Sequence, residues 1–437
     1  AIALGALHAG LSGVYAYPGT PSTEITEFIQ ASPLAKERGV HSRWCTNEKT
    51  AMEAALGMSF AGKRAMVCMK HVGMNVCADP FVNSGMTGVN GGLVVVAADD
   101  PSMHSSQDEQ DSRFYGKFAM VPTFEPSSQQ DAYDMMEKAF DLSEKTKLPV
   151  LLRIVTRMAH SRAVVNVKEE ARSCNALNPV SNNKDWVLLP VNARRKNAAL
   201  TAFQPELREM SNNSKFNIEL KKGNPSRGII ACGIAYNYVC ENLADLKEYD
   251  ILRISQYPLP VERIRTLAER VEEILVIEDG QPFVEEQMLG VLPTEKKVRG
   301  RLDGTLPRCG ELNPDNVCVA LGLAEHAHDS VSENIVPRPP ALCQGCGHRS
   351  VYEAMNKVIR EKYPDTRVFG DIGCYTLGAL PPFSALHSCV DMGASITMAK
   401  GAADAGLKHA IAIIGDSTFT HSGMTGLLDA INANAAI

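Results

Sequence analysis

Apolar positions along the chain fall into two textures. Short unbroken runs such as "AMVCMK" (65–70), "GGLVVVAAD" (91–99) and "LPVLLRIV" (148–155) are bounded by Gly, Pro or Asp. Between such runs lie stretches with helical character, among them the Ala-rich "NEKTAMEAALGMSFAGKR" (47–64). Short apolar runs without polar alternation predict strands buried on both faces, and helices between them predict a parallel α/β sheet. "SGVYAYPGTP" (12–21) adds a strand that ends in a turn.

From 166 to 225 the pattern lapses. "SNNKDWVLLPVNARRKNAALTAFQPELREMSNNSKF" mixes Asn, Ser, charge and Pro without a clean period, and predicts a long interdomain connection. Alternation returns at 226, with strands at "RGIIACG", "DILRISQYPLP" and "VEEILVIEDG" and helices at "AYNYVCENLADL" and "VERIRTLAERV". The Pro-punctuated "NIVPRPPALCQGCGH" marks another boundary. Beyond it, strands are expected at "TRVFGDIG" and "HAIAIIGD", and helices at "SVYEAMNKVIREK", "ITMAKGAADAG" and "TGLLDAINAN". The expected organisation is 1–165, a linker at 166–225, a smaller α/β unit at 226–325, and a third unit at 338–437.

Composition narrows the function classes. The 437 residues are 45% hydrophobic with a net charge of −6, which gives no basic footprint for nucleic acid and none for anionic membrane. No apolar run reaches membrane-spanning length. Twelve scattered cysteines without a secretory leader favour free thiols, a metal site or redox chemistry in the cytoplasm. The opening "AIALGALHAG" and the close on a fresh element both predict a partial chain.

Several stretches carry candidate chemistry. Asp416, in Gly415-Asp416-Ser417, ends an apolar run; a carboxylate there either ligates Mg²⁺ on a diphosphate or caps the next helix. Cys343 and Cys346 form a C-x-x-C, and Cys374 follows in "DIGCYT"; three thiolates are one short of a closed metal site, and buried cysteines are the alternative. "YPGTPSTEI" places Thr20 and Ser22 in a stiff turn before a helix, suited to an anion or simply to the turn. Glu48 opens the Ala-rich helix, where it also complements the dipole. Lys70-His71 follows a strand and is expected to be a solvated strand end.

Taken in order, "YPGTPSTEI", "TNEKTAMEAALG", "MKHVGMNVCADP", "ADDPSMHSSQDEQDSR" and "EPSS" resemble the pyrimidine-binding domain of the indolepyruvate ferredoxin oxidoreductase α subunit. "IEDGQPFVEEQ" resembles its transketolase-C-like domain. "CQGCGHRS", "GDIGCYTLGALPP", "MGASITMAKGA" and "GDSTFTHSG" resemble its diphosphate-binding domain. The likeness covers nearly the whole chain except 166–225, and "KHVGMNV" together with "SSQDEQDSR" separates this family from other 2-oxoacid ferredoxin oxidoreductases.

The resemblance implies oxidative decarboxylation of arylpyruvates, of the indole-3-pyruvate type, to aryl-acetyl-CoA through a thiamine diphosphate ylid. Electrons pass to iron–sulfur clusters and ferredoxin. A β subunit, coenzyme A and a dimer of the α subunit are the implied partners. It assigns Glu48 to the aminopyrimidine and Thr20 to the substrate carboxylate. Gly373, Cys374, Met392, Gly393, Gly415, Ser417 and Thr418 go to the cofactor, and Asp416 to Mg²⁺. Cys343, Cys346 and Cys374 match the spacing of a [4Fe-4S] cluster in related enzymes, although this branch carries its clusters mainly in a C-terminal module. Asn432 and Asn434 come too early to close the Mg²⁺ motif, so the second ligand is expected beyond residue 437. An aliphatic 2-oxoacid oxidoreductase and a cofactor-binding subunit without its own electron relay are the competing readings.

Overall fold

The computed structural model describes all residues except 182, 221–225, 244–248, 325–330, 333 and 337. The chain divides into two compact units, Ala1–Ala327 and His328–Ile437. The expected boundary near 325 lies outside the described residues.

In the first unit six strands come from the first 155 residues: β1 (Gly13–Ala16), β2 (His41–Trp44), β3 (Ala65–Lys70), β4 (Leu93–Asp99), β5 (Thr123–Phe124) and β6 (Val150–Val155). Among the described residues six more follow: β7 (Ile218–Leu220), β8 (Arg227–Cys232), β9 (Tyr249–Ile254), β10 (Gln256–Tyr257), β11 (Glu273–Ile277) and β12 (Lys297–Arg299). The first sheet has the order β10-β5-β6-β4-β3-β1-β2, and the second has β12-β11-β8-β9-β7. Every residue of β3, β4 and β6 is buried, as their unbroken apolar runs require. The first sheet is parallel except at its edge, where β10 pairs antiparallel with β5.

The segment after residue 166 is more than a connection. Residues 171–180 run along the part of the chain that builds the first sheet. Arg38 donates to the Arg172 and Ala171 carbonyls, and the Asn178 and Val180 amides donate to the Ala61 and Phe60 carbonyls. Pro190–Asn212 is a helix of 23 residues. Its apolar stripe is narrow: Leu200, Phe203, Leu207 and Met210, which join Leu148, Met86 and Met120 in a small cluster. Asn and charge on the other faces, and Pro205 inside it, hide that spacing in the sequence.

Two buried arginines tie the sheets together. Arg153 of β6 donates from Nε to Asp99 (2.7 Å), from Nη1 to Glu125 and from Nη2 to the Asp279 carbonyl (2.8 Å). Arg113 forks onto Asp111, reaches Glu278 at 2.9 Å and donates to the Gln281 carbonyl (3.0 Å). Gly280 adopts φ +102°, and a Cβ there would fall 2.7 Å from both Arg153 Nη2 and Asp111 Oδ2. The motifs "SSQDEQDSR" and "IEDGQPF" therefore meet inside one dry network.

The second unit contains two described strands, β13 (Arg367–Phe369) and β14 (Ala410–Ala412), paired in parallel. Helices Gly347–Lys362, Ala394–Asp404 and Met424–Asn432 accompany them.

The network sets a pH dependence. Burial pushes the Glu278 carboxyl up to about 7 and the Asp279 carboxyl up to about 6, with arginines pulling both back only in part. Both groups bind protons more readily folded than unfolded. Their contribution is full below the ordinary carboxylate range and is lost as pH rises through about 6 to 7. Urea unfolding between about pH 5 and pH 8 is expected to show a steeper loss for the wild type than for Glu278→Gln; parallel curves would contradict this. Arg113→Met strands buried carboxylates and is expected to cost roughly 3–5 kcal/mol, read from the same denaturation.

Candidate active site

The first sheet reverses its winding between β1 and β3. The chain leaves β1 for β2 on one side, then crosses back to β3 and proceeds to β4. At such a reversal the carboxyl ends of the strands open a crevice where ligands bind in doubly wound sheets. The turn Pro18–Ser22 follows β1; Lys70 ends β3, and His71 and Gly73 follow it. The two sides touch closely: a Cβ on Gly19 would lie 3.1 Å from Lys70 Cβ.

Glu48 stands at this edge. Asn47 caps the helix Glu48–Phe60 by accepting from the Thr50 amide (2.8 Å), while the Thr50 hydroxyl accepts from the Asn47 amide. That capping box fixes Glu48 as the first helical residue, and it is only 5% exposed. Gly73 lies against its carboxylate, where a Cβ would come 2.6 Å from Glu48 Cγ and 2.7 Å from Oε1. Thr20 is exposed on the β1 turn, while the Ser22 hydroxyl donates to the Gly19 carbonyl (2.7 Å) and braces that turn.

Lys70 and His71 are not a solvated strand end. Lys70 is 9% exposed and donates to the Ser105 carbonyl (2.6 Å) and hydroxyl (3.2 Å). Burial lowers its pKa, with Asp100 and Asp108 pulling the other way. His71 is fully buried; its Nδ1 accepts from the Asp100 amide (3.2 Å), and Nε2 sits 3.5 Å from Asp108 Oδ1. Asp100 accepts from Ser105 N (2.8 Å), the Ser106 hydroxyl and the Thr156 hydroxyl (2.7 Å). Burial works to raise the Asp100 pKa, but these hydrogen bonds and Lys70 hold it below the usual carboxylate range. A solvated reading failed because the loop 101–112 that covers both residues is far from them in sequence.

In the second unit the predicted residues gather around the ends of β13 and β14. Gly373 and Cys374 follow β13, and Gly415, Asp416, Ser417 and Thr418 follow β14. The Thr418 hydroxyl donates to the Ile372 carbonyl (3.0 Å) and joins the two loops. Asp416 is exposed, and its Oδ1 accepts from the Ser417 amide (2.8 Å). Met392 is half-buried before Gly393, whose φ of +96° brings its backbone against Ser422.

Asp371, which the sequence reading did not single out, is fully buried. It accepts from the Ser395 amide (3.2 Å) and hydroxyl (2.7 Å), and so anchors the Met392–Gly393 turn to β13. Burial raises its pKa against those bonds. Backbone amides at two strand ends, on glycines that carry no Cβ of their own, suit a diphosphate.

The three cysteines of the expected cluster are free thiols. Cys343 and Cys374 are exposed, and Cys346 Sγ lies 3.4 Å from His348 Nδ1. Among the described residues, no group of three or more His, Cys, Asp or Glu side chains is gathered closely enough to hold a metal ion. Asp416 alone is no obstacle to Mg²⁺, which takes one or two carboxylates and completes its shell from phosphate and water. A cavity of about 170 Å³, lined by Arg227, Tyr249, Glu273 and Arg299, lies at the opposite, amino-terminal edge of the second sheet and touches none of these residues. No described helix is long and apolar enough to cross a membrane.

The family described as pyruvate flavodoxin/ferredoxin oxidoreductase, thiamine diphosphate-binding, matches residues 4–222. Indolepyruvate oxidoreductase subunit IorA of Archaeoglobus fulgidus is 39% identical over 100% of this chain, which covers 72% of that protein. Its namesake in Pyrococcus abyssi is 40% identical over 99% of this chain and is covered to 71%. Among solved structures, a 2-oxoglutarate:ferredoxin oxidoreductase from Magnetococcus marinus, with 2-oxoglutarate, coenzyme A and succinyl-CoA bound, superimposes with a TM-score of 0.58. It is 16% identical and covers 74% of this chain and 63% of its own, a likeness of fold. By fold, by the family model matched over residues 4–222 and by identity along its full length, this chain belongs to the indolepyruvate oxidoreductase subunit IorA family of oxidoreductases, built on a thiamine diphosphate-binding fold.

Proposed function

We propose that the chain is the thiamine diphosphate-binding subunit of an enzyme that oxidatively decarboxylates arylpyruvates, of which indole-3-pyruvate is the type, and passes electrons to ferredoxin. Coenzyme A accepts the acyl group, a smaller β subunit completes the enzyme, and two α subunits associate. The observation that carries this reading is the buried Glu48 carboxylate, fixed by its capping box at the carboxyl edge of the first sheet.

Thiamine diphosphate, when bound, supplies the electron sink for decarboxylation. The remaining chemistry is assigned to side chains. Glu48 holds and moves a proton at its carboxylate oxygens, in a site from which water is largely removed. Thr20 and the Lys70 ammonium flank the crevice and suit the carboxylate of a 2-oxoacid. Asp100 and the 105–106 hydroxyls keep Lys70 in place. Gly373, Gly415, Ser417 and Thr418 present backbone and hydroxyl groups to a diphosphate, with Asp416 for its Mg²⁺ and Met392 for the body of the cofactor. No electron step is routed through Cys343, Cys346 or Cys374, which are not gathered as a ligand set. Iron–sulfur clusters belong in this reading to the rest of the full-length chain. All twelve cysteines are free thiols, the state that a cytoplasm maintains.

Glu48→Gln is expected to retain cofactor binding while exchange of the cofactor C2 proton, followed by NMR in deuterated buffer, falls to background. Wild-type exchange in that variant removes Glu48 from the proton role. Gly73→Ala drives a methyl into the Glu48 carboxylate and is expected to reduce turnover on the order of 100-fold with the fold retained by circular dichroism. Asp416→Ala is expected to abolish saturation by thiamine diphosphate at ordinary Mg²⁺, measured calorimetrically. Turnover by the full-length complex should favour indolepyruvate over 2-oxoglutarate; the reverse order would assign it to aliphatic acids.

A further inference from the structure

Tyr375 immediately follows Gly373-Cys374 and is 2% exposed, yet its hydroxyl is buried without a hydrogen-bond partner. Its ring is wedged between the two glycine loops. A Cβ on Gly373 would fall 2.3 Å from ring Cε1, and a Cβ on Gly415 would fall 2.7 Å from the same atom. The ring is held from behind. His348 stacks on it at 5.4 Å with the planes 23° apart, and the Tyr352 hydroxyl donates to the Tyr375 carbonyl (2.7 Å). Thr376 closes the turn, accepting from Gly373 N (3.1 Å) and donating to the Asp371 carbonyl.

A rigid phenol with a dry, unpaired hydroxyl is costly to fold, and the cost is removed when an acceptor arrives. The two loops that grip the ring are the ones whose bare backbones suit phosphoryl groups. An anionic oxygen bound at these loops and reaching the ring's hydroxyl meets a donor already stripped of water and without a partner. Such a donor to a charged acceptor forms a stronger bond than a neutral pair.

We propose that the Tyr375 hydroxyl donates a hydrogen bond to a phosphoryl oxygen of the diphosphate held between the Gly373 and Gly415 loops. The proposal rests on the thiamine diphosphate reading and adds to it a binding residue in the second unit.

The test compares wild type and Tyr375→Phe in the full-length complex with Mg²⁺. Calorimetry should show the Kd for thiamine diphosphate raised roughly ten- to a hundred-fold, and that for inorganic pyrophosphate raised likewise. Thiamine itself, which lacks the acceptor, should bind both proteins equally. The cofactor-free variant should melt no lower than wild type, because Phe removes an unpaired hydroxyl rather than a contact. A merely structural tyrosine gives the opposite signature: a lower melting point without cofactor and no selectivity for phosphorylated ligands. That result, or unchanged affinity for both phosphorylated ligands, overturns the assignment of Tyr375 alone. Failure of the wild type to bind thiamine diphosphate overturns the underlying reading together with it.

Discussion

The first unit depends on neutralising charge in a place that water does not reach. Arg113 and Arg153 are fully buried among Asp99, Asp111, Glu125, Glu278 and Asp279, and neither arginine can lose its proton there. Each guanidinium must therefore face carboxylates and carbonyls from both sheets at once. Because Asp99 ends β4 and Arg153 lies on β6, the network is rooted in the strands that continue the sheet beyond β3. Removing one partner leaves the others buried and unpaired, so the arrangement is nearly all-or-none. What it secures is the loop 101–112, which runs from Asp100 over Lys70 and His71 and returns at Ser112, whose hydroxyl bonds Asp99.

The candidate residues of each unit are held by the same device. In each, a buried acidic residue near a strand end is held in place by local hydrogen bonds, and a glycine nearby lets another group approach. In the first unit that pair is Glu48 with Gly73; in the second it is Asp371, bonded to Ser395 beside Gly393. Preorganisation of this kind puts the cost of ordering into folding rather than into the reaction. It also explains why the functional motifs are rich in Gly next to buried polar residues.

Much of this was legible in the sequence. The apolar runs at 65–70, 91–99 and 148–155 carry β3, β4 and β6, because fully buried parallel strands need no alternation. The helix that begins at Glu48 was visible through its Ala-rich body. What escaped detection depends on distant partners. Leu200, Phe203, Leu207 and Met210 are spaced as a helix face, yet the charged and Asn-rich remainder masked them. Two-residue β10 carries no periodicity at all. Lys70 and His71 read as surface because their cover, the 101–112 loop, comes thirty residues later. Tyr375 passes for an ordinary core aromatic until its unpaired hydroxyl is located between two glycines.

The antiparallel pairing of β10 with β5 bears on biosynthesis. The edge formed by Thr123–Phe124 has no neighbour on its outer side until Gln256–Tyr257 has been translated and has left the ribosome. By then β6 and the helix Pro190–Asn212 have already emerged. Asn217 clasps that late strand by accepting from the Ser255 and Gln256 amides (2.8 and 2.9 Å), and Ser211 donates to the Gln256 carbonyl (2.8 Å). A nascent chain thus carries an open sheet margin across a long stretch of synthesis, and β5, only two residues long, offers little template for stray pairing meanwhile.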